Sequence, residues 1–243
     1  MSFVGGSYIP ATKGKRINMS RKAVMRRLEG LGFSWLPPKL KIAWQGLKTK
    51  RKMDRQFGRH PDPFNYEGSQ YERMRFEVME EAVGGGFQKA LEAGCAEGHF
   101  TQRLARHVQE LTCLDISEIA LERAKKCAPN ARFILADLLS WEPPPKERYD
   151  LIVLADVLYY LDRPIVAAEF NLLFGRIASW LNAGGRIVLA GGAGIDDEPT
   201  LNNRKSFSER FQKVGLELVS EKIAVKESGV RCLVSVIEKP FAE

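Results

Sequence analysis

The stretch Leu91-Glu92-Ala93-Gly94-Cys95-Ala96-Glu97-Gly98-His99-Phe100 decides the fold. An apolar strand runs into a turn of small residues and then into a helix. A second strand, Leu111-Thr112-Cys113-Leu114-Asp115, ends in a carboxylate 21 residues after Gly94. Strand, small-residue turn, helix and acid-tipped strand make the nucleotide-holding half of a doubly wound sheet, the acid placed to grip ribose hydroxyls. The spacing selects among nucleotides. A G-x-G-x-x-G dinucleotide fingerprint would need glycines at 94, 96 and 99, where the chain has Gly94, Ala96 and His99. Small residues at 94, 96 and 98 after Glu92 do not suit a pyrophosphate seated on a helix N-terminus, so a dehydrogenase is the weakest reading. Without a ligand the same residues would simply turn a strand into a helix.

Outward from this core, strands and helices alternate. Strands are expected at Ala90–Glu92, Leu111–Leu114, Arg132–Leu135, Tyr149–Ala155, Arg186–Ala190, Leu216–Ile223 and Val230–Ile237. Tyr149–Ala155 is continuously apolar, as a strand buried on both faces should be. Helices are expected over Tyr71–Val83 (Met74, Val78, Met79 and Ala82 inward) and Thr101–Gln109 (Leu104 and Val108 inward). A third should follow Ser117 as N-cap, a fourth should carry Val166, Phe170, Leu173, Ile177 and Trp180, and a fifth Phe207, Phe211 and Val214 before Gly215. Gly184-Gly185 is expected to turn the chain into the fifth strand. The last two strands are joined by a few residues and must be antiparallel. The fold class is therefore α/β: a doubly wound, Rossmann-like, seven-stranded, mostly parallel sheet.

Composition is that of a globular protein, 44% hydrophobic and 28% charged. No apolar run approaches the ~18 residues that span a bilayer, and no signal-peptide pattern stands at the N-terminus. The four cysteines form no C-x-x-C pair and do not cluster with the three histidines, which argues against zinc and disulfides and for a reduced, cytoplasmic protein. Charge is uneven. Residues 1–60 carry fifteen Lys/Arg against Glu29 and Asp54, while residues 61–243 are net −6. The chain thus reads as a basic N-terminal arm, partly helical, before a domain over 61–243. Ser20 can cap a short helix to about Leu31, which Pro37-Pro38 ends. A second basic segment carries Trp44 and Leu47. Three readings compete for the arm: a solvated segment folded over the domain, a nucleic-acid patch, or a helix on an anionic membrane surface with Trp35 and Trp44 at the interface.

In open α/β sheets the ligand lies off the carboxyl ends of the strands, where strand order reverses. There stand Gly94–Gly98, then Asp115 and Ile116, then Asp137 and Leu138, then Asp156 with Tyr159 and Tyr160. Each acid alone could be a helix cap; their succession after consecutive strands argues for a site.

Leu91–Gly98, Asp115, Ala136-Asp137-Leu138 and Asn182-Ala183-Gly184-Gly185 together resemble the class I S-adenosylmethionine (SAM)-dependent methyltransferases. Three further stretches, Asp62–Tyr66 with Tyr71-Glu72 and Arg75-Phe76, Gly94–Thr101, and Ala155–Leu161, resemble the nodulation protein S (NodS) family over roughly residues 56–190. The resemblance implies SAM-dependent N-methylation of the free amine of a partly deacetylated chitooligosaccharide. It also implies cofactor contacts from Tyr66, Tyr71, Arg75, Glu92, Gly94, Cys95, Ala96, Gly98, Asp115, Ile116, Asp137, Leu138 and Ala155, with the 66–75 segment closing over the cofactor. Asp156 is expected to orient or deprotonate the acceptor, helped by Tyr159 or Tyr160. The chain departs from the family pattern at Ala183 (usually Pro), at Asp156 (more often Glu), across 191–204, and in its long basic arm. Two rivals stand beside this reading. A nucleic-acid methyltransferase would use the basic arm, although the residues after strand four lack the N/D-P-P-Y/F signature. A non-catalytic SAM-binding protein would bind without turnover.

Overall fold

The computed structural model describes residues 36–224 and 229–241. The helix expected from Ser20 to Leu31, and Trp35, lie outside the described residues. From Pro37 onward the chain forms one contact unit.

Seven strands form one sheet: β1 (Phe87–Ala93), β2 (Val108–Asp115), β3 (Arg132–Leu135), β4 (Tyr149–Ala155), β5 (Leu181–Gly194), β6 (Glu217–Ala224) and β7 (Val230–Glu238). Their spatial order is β3-β2-β1-β4-β5-β7-β6. The first five are parallel, and β7 runs antiparallel to both β5 and β6. Order reverses between β1 and β4, so the crevice at their carboxyl ends is the ligand position that the topology dictates. Leu151, Ile152, Val153 and Leu154 of β4 are all buried. Residues alternate along a strand to opposite faces, so β4 feeds two cores, each fully buried Leu, Ile or Val contributing about 1.5–3 kcal/mol. One core joins Leu91, Ile152 and Leu154 to Phe170, Phe174 and Phe211; the other joins Ala90, Leu151 and Val153 to Phe76, Met79 and Phe100.

The helices are α1 (Pro38–Arg59), α2 (Gln70–Val83), α3 (His99–Leu104), α4 (Glu118–Cys127), α5 (Leu158–Leu161), α6 (Ala167–Trp180) and α7 (Glu198–Gln212). Ser69 caps α2 by accepting from the Glu72 amide, and Ser117 caps α4 by accepting from the Ala120 amide. Asp197 caps α7 in the same way.

Several sequence expectations are corrected. The helix expected over Thr101–Gln109 stops at Leu104. Arg106 and His107 donate to carbonyls three residues back, which tightens the chain out of the α-helix. Val108 then opens β2 opposite Phe87 rather than lying inward on a helix. The buried stripe of α2 is Arg75, Phe76, Met79 and Val83, with Met74, Val78 and Ala82 at its margins. Gly184-Gly185 does not separate a turn from a strand: β5 runs unbroken from Leu181 to Gly194, with a register irregularity opposite Tyr149 and Leu151.

The basic segment 38–59 is a single helix with one face spent on the domain. Gln45, Gly46, Met53 and Phe57 are buried. The Ser117 hydroxyl donates to Asp54 Oδ1 at 2.7 Å, and Arg123 of α4 donates to the Phe57 carbonyl at 3.0 Å. Trp44 is half-buried beside Lys48. No helix among the described residues is long and apolar enough to cross a membrane.

Candidate active site

A cavity of about 300 Å³ occupies the β1–β4 crevice, within the size range of small-molecule sites. Its floor is the carboxyl ends of β1 to β4. Its roof is α1, the loop after it, and the start of α2. Rings run in an unbroken series from the cavity lining (Phe57, Phe64, Tyr66) into the core behind it: Phe57 to Phe64 at 5.7 Å, Phe64 to Tyr66 at 5.5 Å, Tyr66 to Phe76 at 5.8 Å and Phe76 to Phe100 at 5.5 Å. Such a wall excludes water and lowers the local dielectric.

Of the residues singled out from sequence, Tyr66, Tyr71, Arg75, Gly94, Ala96, Asp115, Ile116, Asp137, Leu138, Ala155, Asp156, Tyr159 and Tyr160 line the cavity. Glu92, Cys95 and Gly98 do not. Glu92 is buried against α3 instead, where it accepts the Thr101 hydroxyl at 2.6 Å and pins α3 to the strand. Its burial pushes the carboxyl up to about 7. Cys95 is buried among apolar side chains. At Gly98 the backbone has φ +87°, and an added Cβ would lie 2.9 Å from Ala124 Cα, so glycine there lets the turn rest on α4.

Asp115 is the most constrained of the acids. Its Oδ2 accepts the Ala96 amide at 2.9 Å and its Oδ1 the Ser117 amide at 2.8 Å. It therefore ties the small-residue turn to the start of α4. Each carboxylate oxygen keeps a further lone pair for a ligand hydroxyl. Burial raises its value, partly offset by these amides. Asp137 Oδ1 accepts the Leu139 amide at 3.0 Å, and its Oδ2 lies directly against Gly46 of α1.

The opposite wall centres on Arg75, which is 3% exposed. It donates to Glu72 Oε2 at 2.7 Å and to Asp156 Oδ2 at 2.7 Å. Burial works against this cation, but Asp156 and Glu72 outweigh it and lift its value above the ordinary one. Asp156 Oδ1 accepts the Gly192 amide at 3.1 Å. Asp156 and Ala96 both adopt left-handed backbone (φ 50° and 49°), a strain of about 1–2 kcal/mol each for a residue with a Cβ. Two such residues facing one cavity is the pattern expected of a pre-organised site. Tyr159 and Tyr160 pack against each other, centroids 4.3 Å apart, with Arg204 over Tyr159 at 4.2 Å and Lys52 over Tyr160 at 4.9 Å. Burial pushes the phenols of Tyr66, Tyr71 and Tyr159 well above their ordinary value, so they serve as neutral donors.

Sequence reading missed Thr49, Met53 and Phe57 of α1, together with Glu72, Gly192, Arg204 and Val230. Met53 and Phe57, four apart, were the available signal for a packed face. Arg204 and Val230 reach the cavity only through the fold of α7 and β7.

The family model for "Nodulation protein S (NodS)" matches residues 48–188, more than half of the chain. The chain belongs to the NodS family. Nodulation protein S of Rhizobium tropici is 34% identical over 155 residues, covering 60% of this chain and 63% of that protein. That of Sinorhizobium fredii is 31% identical over 140 residues, covering 56% and 62%. The chain thus spans less than two thirds of the length of these curated NodS relatives. The crystal structure of N-methyltransferase NodS from Bradyrhizobium japonicum WM9, in complex with S-adenosyl-L-homocysteine, superposes with a TM-score of 0.69 at 24% identity, over 79% of this chain and 98% of that one. The likeness confirms the class I methyltransferase fold.

Proposed function

We propose that this NodS-family protein is a SAM-dependent methyltransferase acting on the amine, or a hydroxyl, of a small-molecule or saccharide acceptor, with N-methylation of an amino-sugar oligosaccharide as the specific reaction. The observation that carries it is one cavity joining Asp115 at the tip of β2 to Asp156, Tyr159 and Tyr160 after β4. The donor set fits the cofactor. Asp115 has lone pairs for two ribose hydroxyls, Asp137 for an adenine amino group, and Ile116 and Leu138 supply apolar faces for the ring. Arg75, already paired with Glu72 and Asp156, would have only its remaining N–H groups to offer a ligand carboxylate. Glu72 and Asp156 outnumber Arg75 in charge, which favours a cationic sulfur nearby. The family membership and the N-methyltransferase name of the Bradyrhizobium structure support the same reading.

SAM supplies an electrophilic methyl group. The chain's own residues have to bind, orient and desolvate. Transfer is an in-line displacement that depends on holding nucleophile and methyl within about 3–3.5 Å in alignment. The Tyr66–Phe76 wall keeps water from competing. Asp156, with both oxygens fixed by Arg75 and Gly192, offers its remaining lone pairs to the acceptor N–H and receives or passes on its proton. A Tyr159 or Tyr160 hydroxyl fixes the acceptor's second hydrogen-bonding group. The outward face of α1, with Leu40 and Leu47 exposed among lysines, is the part of the described chain that would touch an anionic membrane surface. Liposome binding that survives Leu40→Glu plus Leu47→Glu would remove that contact.

The test is release of S-adenosylhomocysteine from SAM with and without deacetylated chitooligosaccharide, with Asp115→Ala as control. Acceptor-dependent release lost in the variant is expected. SAM binding without release would discard this acceptor, and absence of SAM binding would discard the cofactor.

A further inference from the structure

Outside the cavity, the glycine-rich turn and the loop that roofs it bring together three groups that the proposed methyl transfer does not use. Asp62 from the loop, Glu97 from the turn and His99 at the start of α3 each place one ligand-type atom within 4.8 Å of the others. Glu97 is 3% exposed. Its Oε1 pairs with Arg123, but Oε2 is buried with no hydrogen-bond partner. A buried carboxylate oxygen left unpaired is costly and calls for an ion or water. Asp62 is held rigidly in left-handed backbone, accepting the Tyr66 amide on Oδ1 at 2.7 Å and the Glu67 amide on Oδ2 at 3.0 Å, so each oxygen keeps a lone pair.

We propose that Asp62, Glu97 and His99 form a binding site for one divalent transition-metal ion, which clamps the roof loop to the turn. The donor set selects the metal. One imidazole and two carboxylates suit zinc or manganese, with water completing the shell. Arg123 offsets part of the carboxylate charge, so a hard ion bound by charge alone, such as magnesium, is disfavoured. Ligands about 2.0–2.2 Å from zinc stand roughly 3–3.5 Å apart. Binding therefore draws the Asp62 loop toward the turn by up to about 1.5 Å. That loop carries Phe64 and Tyr66, and the Tyr66 ring already lies 5.1 Å from that of His99. The clamp sets the position of the cavity roof and does not depend on which acceptor the cavity takes.

The test is calorimetric titration of the chelator-stripped, full-length protein with Zn²⁺, Mn²⁺ and Mg²⁺ at pH 7.5, with thermal unfolding alongside. One equivalent of Zn²⁺ or Mn²⁺ is expected to bind, raising Tm by about 5–10 °C at a hundredfold excess over Kd. Glu97→Gln, His99→Ala and Asp62→Asn should each weaken binding at least tenfold. Circular dichroism checks folding, and half-buried His99→Ala carries the comparison if Glu97→Gln does not fold. Absence of stoichiometric binding, Mg²⁺ binding as tight as Zn²⁺, or binding untouched by every folded variant overturns the proposal.

Discussion

The contact between α1 and Asp137 yields a sharp prediction, because helix propensity and packing pull in opposite directions there. Gly46 is buried in the middle of α1, where alanine would ordinarily stabilise by about 1 kcal/mol. A Cβ at 46, however, would lie 2.3 Å from Asp137 Oδ2. Ordinary carbon–oxygen contacts are roughly 3.3–3.6 Å, so the carboxylate must retreat by about 1 Å. Asp137 cannot do this and keep its bond to the Leu139 amide, a charged hydrogen bond contributing about 1.5–3 kcal/mol. Gly46→Ala should therefore destabilise by about 0.5–2 kcal/mol. In an Asp137→Ala background, where nothing is displaced, the same change should stabilise by about 1 kcal/mol. Urea unfolding of the four proteins gives the coupling, expected at about 1.5–3 kcal/mol. The displaced carboxylate should also weaken SAM binding about 10- to 100-fold by calorimetry. If Gly46→Ala stabilises equally in both backgrounds, α1 does not press on Asp137 and the roof is placed wrongly.

Other consequences follow from the same geometry. Gly98→Ala adds left-handed strain of about 1–2 kcal/mol and a clash with α4 of about 1–3 kcal/mol, so urea unfolding should show a loss of about 2–5 kcal/mol. Glu92, raised to about 7 by burial, binds its proton more tightly folded than unfolded. Its contribution is therefore present below the unfolded value near 4.5 and is lost as pH rises through about 7. Relative to Glu92→Gln, wild-type stability should fall by on the order of 3 kcal/mol between pH 5 and pH 8; parallel profiles would count against the assignment. Arg75→Met strands Glu72 and Asp156 beside each other without their shared cation and should cost about 3–5 kcal/mol in denaturant unfolding.

What the sequence could reveal depended on how local the physics was. β3 and β4 are found at the expected bounds because apolar runs bounded by turns are local signals, and the Ser117 cap follows from its own hydroxyl. The order of acids after β2, β3 and β4 placed Asp115, Asp137 and Asp156 in one cavity. The role of α1 was hidden because its buried face is partly polar and small (Gln45 and Gly46) and its partners, Asp137, Ser117 and Arg123, lie far along the chain. Its basic composition left three readings open (a solvated segment folded over the domain, a nucleic-acid patch, a membrane-surface helix), and nothing local in it chose among them. Glu92 was expected to touch the cofactor because it stands two residues before Gly94, but its carboxylate is buried against α3 and bonded to the Thr101 hydroxyl, a partner that only the folded turn brings to it. The pairing of Asp156 with Arg75, across 81 residues, has no signature in either segment.

The most direct measurement is transfer of an isotopically labelled methyl group from SAM to deacetylated chitooligosaccharide, with the product fragmented by mass spectrometry. The account predicts label on the free amine nitrogen, dependent on Asp115 and reduced by Asp156→Ala. Label that appears elsewhere, or a labelled amine unaffected by both substitutions, would contradict the placement of cofactor and acceptor in this cavity.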